Sequence, residues 1–207
     1  RLPEILNRFN PRGWDGGVIA PAQSMAAWQK VIGTATTARA SGSKRRAAAL
    51  QAVKLARRFG PSDPRLAFSY YVLGRLSLAN APDTALAAFL EAGDIYRNRP
   101  DSRLQEAHVA MQIAAFQLSA GHAEVAIDLV DQSLPAVKRA EHAALLSLLL
   151  MVKAEALELL DRSPEAQRIQ NEALAWARYG YGSEAEVRDR AAEILAISPR
   201  FREGEPA

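Results

Sequence analysis

The stretch Leu73-Gly74-Arg75-Leu76-Ser77-Leu78-Ala79-Asn80-Ala81-Pro82-Asp83-Thr84-Ala85, continued by Phe89 and Ala92, decides the fold. A small residue, Gly74, interrupts one apolar segment, and Ala81-Pro82-Asp83 then turns the chain. Ala85, Phe89 and Ala92 follow at i, i+4 and i+7, which places them on one helical face. The alanines let backbones approach, and Phe89 fills the gap that remains. The same order returns about every 40 residues, as Ile113-Ala114, Gly121, Ala126, Val130 and Ser133-Leu134, then as Ala154, Ala166 and Ala173-Leu174. A fixed period of this size predicts stacked helical hairpins, each needing its neighbour to cover an apolar face.

These residue types at these intervals resemble the tetratricopeptide repeat family, whose signature is a large-Gly pair and a turn Gly followed by Ala, aromatic and Ala. Phe59-Gly60-Pro61-Ser62-Asp63-Pro64-Arg65-Leu66-Ala67, leading into Leu73-Gly74, looks like the longer, kinesin-light-chain type of unit, in which a Gly-Pro-x-x-Pro turn joins consecutive repeats. The resemblance covers roughly residues 25 to 180 and is closest between 64 and 134. Lys153 stands where the family prefers an apolar residue, and Gln170 where it prefers an aromatic. The resemblance implies an all-α fold: a right-handed superhelical solenoid of about four antiparallel helix hairpins with a C-terminal capping helix. Another α-solenoid or an irregular helical bundle stays open.

Composition agrees with helix. Alanine supplies about a fifth of the chain, β-branched residues are scattered, and about half of the 207 residues are apolar, enough for a sizeable core. The longest apolar stretch, Ala143 to Val152, is broken by Ser147 and is too short to span a bilayer. Absence of cysteine excludes disulfides, thiolate catalysis and cysteine metal sites, and fits either cytoplasm or periplasm. Arg outnumbers Lys about fourfold beside abundant Ala, which suggests a bacterium with a GC-rich genome. The sequence opens at Arg1 rather than Met, so an upstream segment is expected to have been cleaved or trimmed.

Three regions are expected. Residues 1–20 form a lead-in with a short amphipathic helix carrying Leu2, Ile5, Leu6 and Phe9, residues 21–197 form the solenoid, and residues 198–207 form a disordered tail. Within the solenoid, Asp63-Pro64, Asp101-Ser102 with Gln105, and Ser163-Pro164-Glu165 read as helix N-termini. Ser183 with Glu186 opens a final helix whose Val187, Ala191, Ile194 and Leu195 share one face, as a solvating cap requires.

The net charge of +3 hides a split: residues 1 to 60 hold 11 basic and 2 acidic side chains, residues 61 to 207 hold 15 and 21. Lys44, Arg45, Arg46, Lys54, Arg57 and Arg58 form a basic patch on one expected helix, with Arg46, Lys54 and Arg57 on a common face. It is either a solvated outer face or a site for an anionic partner. No aromatic residues interleave with these charges, which disfavours nucleic acid. His108, His122 and His142 show no metal-ligand spacing and read as surface or groove histidines. Glu155 and Glu158 read as an ordinary exposed helix face rather than an acid-base pair. No phosphate-cradling loop or nucleophile elbow is present, so no catalytic residue, metal or cofactor is expected.

In the tetratricopeptide family the first helix of each hairpin lines a concave groove. Transfer from Leu73-Gly74 and Ile113-Ala114 implies that Phe68, Tyr71 and Arg75, then His108, Met111, Gln112 and Ala115, line it, followed by Leu148, Met151 and Glu155 from the weaker match at Ala154. A subclass of the family grips a peptide's terminal carboxylate with Lys and Asn residues; the corresponding groove positions here include Arg75 and Gln112 but not the paired Asn residues, so that clamp is disfavoured. The resulting expectation is a non-enzymatic module binding a peptide or partner protein in the groove. Two alternatives stay open: self-association through the charge split, and service as the sensor or docking portion of a larger regulator or enzyme.

Overall fold

The computed structural model describes residues 22–199, and all regular structure among them is helical. The expected lead-in and residues 200–207 of the expected tail lie outside the described residues. The chain divides between Pro100 and Asp101 into two compact units, each with its own core.

The first unit contains α1 (Ala22–Thr36), α2 (Gly42–Ala56), α3 (Pro64–Ser77) and α4 (Pro82–Arg97). Each helix packs on the next in sequence, and α1 also meets α3. Trp28, Ile32, Val53, Phe59, Phe68, Val72 and Leu73 form the core, and the Trp28 indole donates to the Ser69 hydroxyl at 2.9 Å across it. The Gly60-to-Pro64 joint has a physical logic. Gly60 takes φ 113°, and the buried Asp63 carboxylate accepts from the Arg65 amide at 2.8 Å to cap α3. Arg65 pairs back with Asp63 while its guanidinium lies 4.0 Å over the Phe59 ring, so one charge pair is sealed by an aromatic face.

The second unit contains α5 (Arg103–Ser119), α6 (Ala123–Arg139), α7 (Ala143–Leu159), α8 (Ser163–Ala175), the short α9 (Ala177–Gly180) and α10 (Glu184–Leu195). Its first three turns share one geometry at 20-residue intervals. Gly121, Glu141 and Asp161 take φ of 81°, 51° and 57°, and the amides of His122, His142 and Arg162 reach back to the carbonyls of Gln117, Val137 and Leu157. This is the left-handed helix terminus that satisfies the last carbonyls, and it folds each helix onto its predecessor. As a result α5, α6, α7 and α8 pack in succession, with α5 also against α7.

Two expected caps are not made. The Ser102 hydroxyl bonds Asp101 rather than a helix amide, and the Ser163 hydroxyl donates to Glu158 at 2.8 Å. Ser183 does cap α10, accepting from the Glu186 amide at 3.2 Å. Ser198, expected to begin the tail, is fully buried and bonded to α7.

Candidate partner-binding surfaces

On α3, Gly74 is the foundation of the site. A Cβ there would fall 2.6 Å from the Phe89 ring, so only glycine lets that fully buried ring lie on the helix backbone. Phe89 in turn supports the Tyr71 ring, with centroids 5.9 Å apart. Arg75, one turn further along, donates from Nη1 to the Tyr71 hydroxyl at 3.4 Å. Tyr71 is half-buried and Arg75 exposed, so the pair offers an aromatic edge and a guanidinium from a fixed base. Phe68, expected beside them, lies in the core instead, in one buried cluster with Trp28, Phe59 and Val72.

In the second unit the expected set is mostly covered. Met111, Gln112 and Glu155 are 2%, 3% and 6% exposed, and Ala115, Leu148 and Met151 are buried too. Met111, Leu148 and Met151 belong to one cluster with Val187, Ala191 and Leu195 of α10. The Gln112 Nε2 is buried without a hydrogen-bond partner among the described residues. Glu155, read from sequence as exposed, accepts a 2.7 Å hydrogen bond from the Ser198 hydroxyl. His108 alone of this set is half-exposed; its ring stands edge-on to His142 at 6.0 Å, and the His142 Nδ1 caps α7 by accepting from the Leu145 amide.

The basic patch divides. Arg45 donates to the Ala35 carbonyl at 3.0 Å, Arg46 to the Ser77 hydroxyl at 3.2 Å and Arg57 to the Tyr70 hydroxyl at 3.0 Å. These arginines tie α2 and the turn after it to α1 and α3. The expected common face of Arg46, Lys54 and Arg57 is therefore not the free one. The side chains of Lys44, Lys54 and Arg58 are exposed and make no hydrogen bond or ion pair among the described residues; Lys44 and Lys54 share the outward stripe of α2 with Leu50, 44% exposed, and Arg58 follows in the turn after it.

Two clefts escaped the sequence reading. One, of about 440 Å³, is lined by Arg57, Leu66, Tyr70, Glu91, Asp94 and Ile95 in the first unit. The other, of about 350 Å³, lies in the second unit over Lys153 and Leu157 of α7, with Asp131 of α6 on one side and Arg162, Glu165 and Arg168 on the other. Lys153 is accommodated at its apolar-preferring position because Nζ reaches both Asp131 oxygens, at 2.6 and 2.8 Å. The Arg162 guanidinium, bonded to both Glu165 oxygens, holds that carboxyl below its usual range. The spacing of these residues does not point to the cleft, since its lining is assembled from α6, α7, the turn after α7 and α8. An exposed aromatic pair, Trp176 and Tyr179 with rings 5.9 Å apart, also went unread.

Among the described residues no three His, Asp or Glu side chains are grouped to hold a metal ion, and no helix is long and apolar enough to cross a membrane. No protein-family model matches the chain, and no curated protein matches it.

Proposed function

We propose that the chain is a tetratricopeptide-like interaction module, its hairpins continuing as a right-handed superhelical solenoid, that receives a peptide or partner protein on the faces of its first helices. The observation that carries this reading is the Tyr71–Arg75 pair, held on the Gly74–Phe89 contact. Tyr and Arg are the side chains that most often dominate binding energy at protein interfaces, and a ring already fixed by packing loses little freedom on binding. Arg75 suits a carboxylate or main-chain carbonyl of the incoming segment, and Tyr71 suits an apolar side chain beside it. The packing of α1 with α3, and of α5 with α7, supports the repeat assignment, since a solenoid needs each first helix to meet the next. In this reading the chain performs no reaction of its own.

Affinity capture with the wild type and a Tyr71→Ala/Arg75→Ala variant tests the proposal. Loss of about tenfold in captured partner, from a folded variant, is expected for removal of two anchors. Undiminished capture counts against binding on this face.

A second reading has its own observation. Residues 22–100 hold twelve basic and four acidic side chains, residues 101–199 nine and fifteen, and Lys44 and Lys54 of α2 and Arg58 of the turn after it present free cations. Self-association by charge would be head-to-tail and salt-sensitive. Light scattering across a salt series separates it from the first: a monomer at low salt and high concentration removes it.

A further inference from the structure

The last helix packs along the second unit's own helices and reaches back as far as α5. The Gly180 Cα lies so close to the start of α7 that a Cβ there would fall 2.5 Å from the Ala144 amide nitrogen. At the other end, Ser198 bonds Glu155 near the C-terminus of α7. Between these anchors α7 advances about 16 Å and the 12-residue α10 about 18 Å, so α10 runs parallel to α7 along most of its length. It packs on α7, reaches α5 and α8, and places Val187, Ala191 and Leu195 in the cluster that contains Met111, Leu148 and Met151. Met111 and Met151 stand 40 and 80 residues after Tyr71, which is accessible on the surface of α3 beside Arg75.

We propose that the α5–α7 face is a receptor for an amphipathic helix and that α10 is its built-in occupant, competing with a partner helix for the same surface. The inference rests on the interaction-module reading and names the partner class for this face. The occupant already present defines the ligand chemistry. It carries apolar side chains of modest size at i, i+4 and i+8, Val187, Ala191 and Leu195, and a charged outer face on which Arg188 pairs with Glu184 and Arg190 with Glu193. Its ion pairs lie within the helix, so among the described residues its charges are not what holds it to α5 or α7. The apolar stripe and the Ser198–Glu155 bond contribute to that hold, and a free helix with larger side chains on the stripe can match them. The tether through Gly182, at φ 87°, keeps α10 at an effective concentration in the millimolar range, so a partner must overcome that advantage.

The chain supplies its own probes. It has three methionines: Met111 and Met151 are buried in the cluster to which α10 contributes, and the half-buried Met25 lies in the first unit as a reference. Peroxide oxidation followed by mass spectrometry reads the exposure of each sulfur. In the wild type, Met111 and Met151 are expected to oxidise at least roughly tenfold more slowly than in a Leu195→Asp chain, with Met25 unchanged. A synthetic peptide of residues 183–199, added in trans, is expected to restore protection in the variant. Gly180→Val, which displaces the tether without touching the stripe, provides the same test should Leu195→Asp fail to fold. Protected methionines in both folded variants would overturn the proposal, because α10 would then not be the cover. Exposed methionines that the peptide does not re-protect would also overturn it. Neither result touches the Tyr71–Arg75 capture experiment, which tests the interaction-module reading on other residues.

Discussion

Replacing Gly74 by Ala adds one methyl group at the contact that sets hairpin spacing in the first unit. The new Cβ would lie 2.6, 2.8 and 2.9 Å from three atoms of the Phe89 ring, where ordinary contacts begin near 3.4 Å. The ring cannot swing aside freely, since it is fully buried and bears on Tyr71. Overpacking of this kind costs about 1–3 kcal/mol, against a gain of up to about 1 kcal/mol from replacing Gly by Ala in a helix. A net loss of about 1–2 kcal/mol is expected, read as a lower urea midpoint by circular dichroism. The control is the same change in a Phe89→Leu background. With the ring gone, Gly74→Ala should become neutral or stabilising by up to about 1 kcal/mol. Stabilisation by Gly74→Ala in the wild-type background, or equal effects in the two backgrounds, would refute the claim that the Gly74–Phe89 contact governs the spacing.

Other substitutions follow from buried polar groups and backbone strain. Burial pushes the Tyr96 phenol far above its ordinary pKa of 10, and its hydroxyl has no partner among the described residues. The native state therefore favours the neutral phenol: Tyr96 adds no pH dependence below about pH 10, and its contribution is lost as the unfolded chain ionises above that value. Tyr96→Phe should leave neutral-pH stability unchanged or higher and flatten the alkaline loss, measured by thermal melts from pH 8 to 11. Gln112→Leu removes a buried amide nitrogen without a partner and should be neutral or stabilising by about 1 kcal/mol; a loss above about 1 kcal/mol in urea titration would contradict that accounting. Glu141 occupies a left-handed position that glycine fills at Gly121, so Glu141→Gly should raise stability by about 0.5–1 kcal/mol, whereas Gly121→Ala should lower it.

The hairpins were legible because tight helix contact demands small residues at helical spacing, and Gly74, Ala85, Phe89 and Ala92 satisfy that demand locally. The caps at Asp63 and Ser183 were legible for the same reason: donor and acceptor lie within three residues. Ser102 and Ser163 carried the same signal, yet their hydroxyls donate to the carboxylates of Asp101 and Glu158. Faces were less legible than elements. Periodicity places Met111, Met151 and Glu155 on one side of their helices but does not say what covers that side, and part of the cover comes from α10 and Ser198, at least 29 residues beyond Glu155 in sequence. The basic patch failed similarly. A helical projection treats Arg46 and Arg57 as outward charges, but both long side chains bend onto α3 to reach Ser77 and Tyr70.

The most direct test of the account is site-specific photo-crosslinking from position 71 in the native cell. A benzophenone amino acid replaces Tyr71 in one chain and Leu50, on the outward stripe of α2, in another. Binding on the α3 face gives a protein adduct from position 71 that is lost when Arg75→Ala is added, and no matching adduct from position 50. The same adduct from position 50, or none from position 71 in a folded chain, would contradict binding on the α3 face.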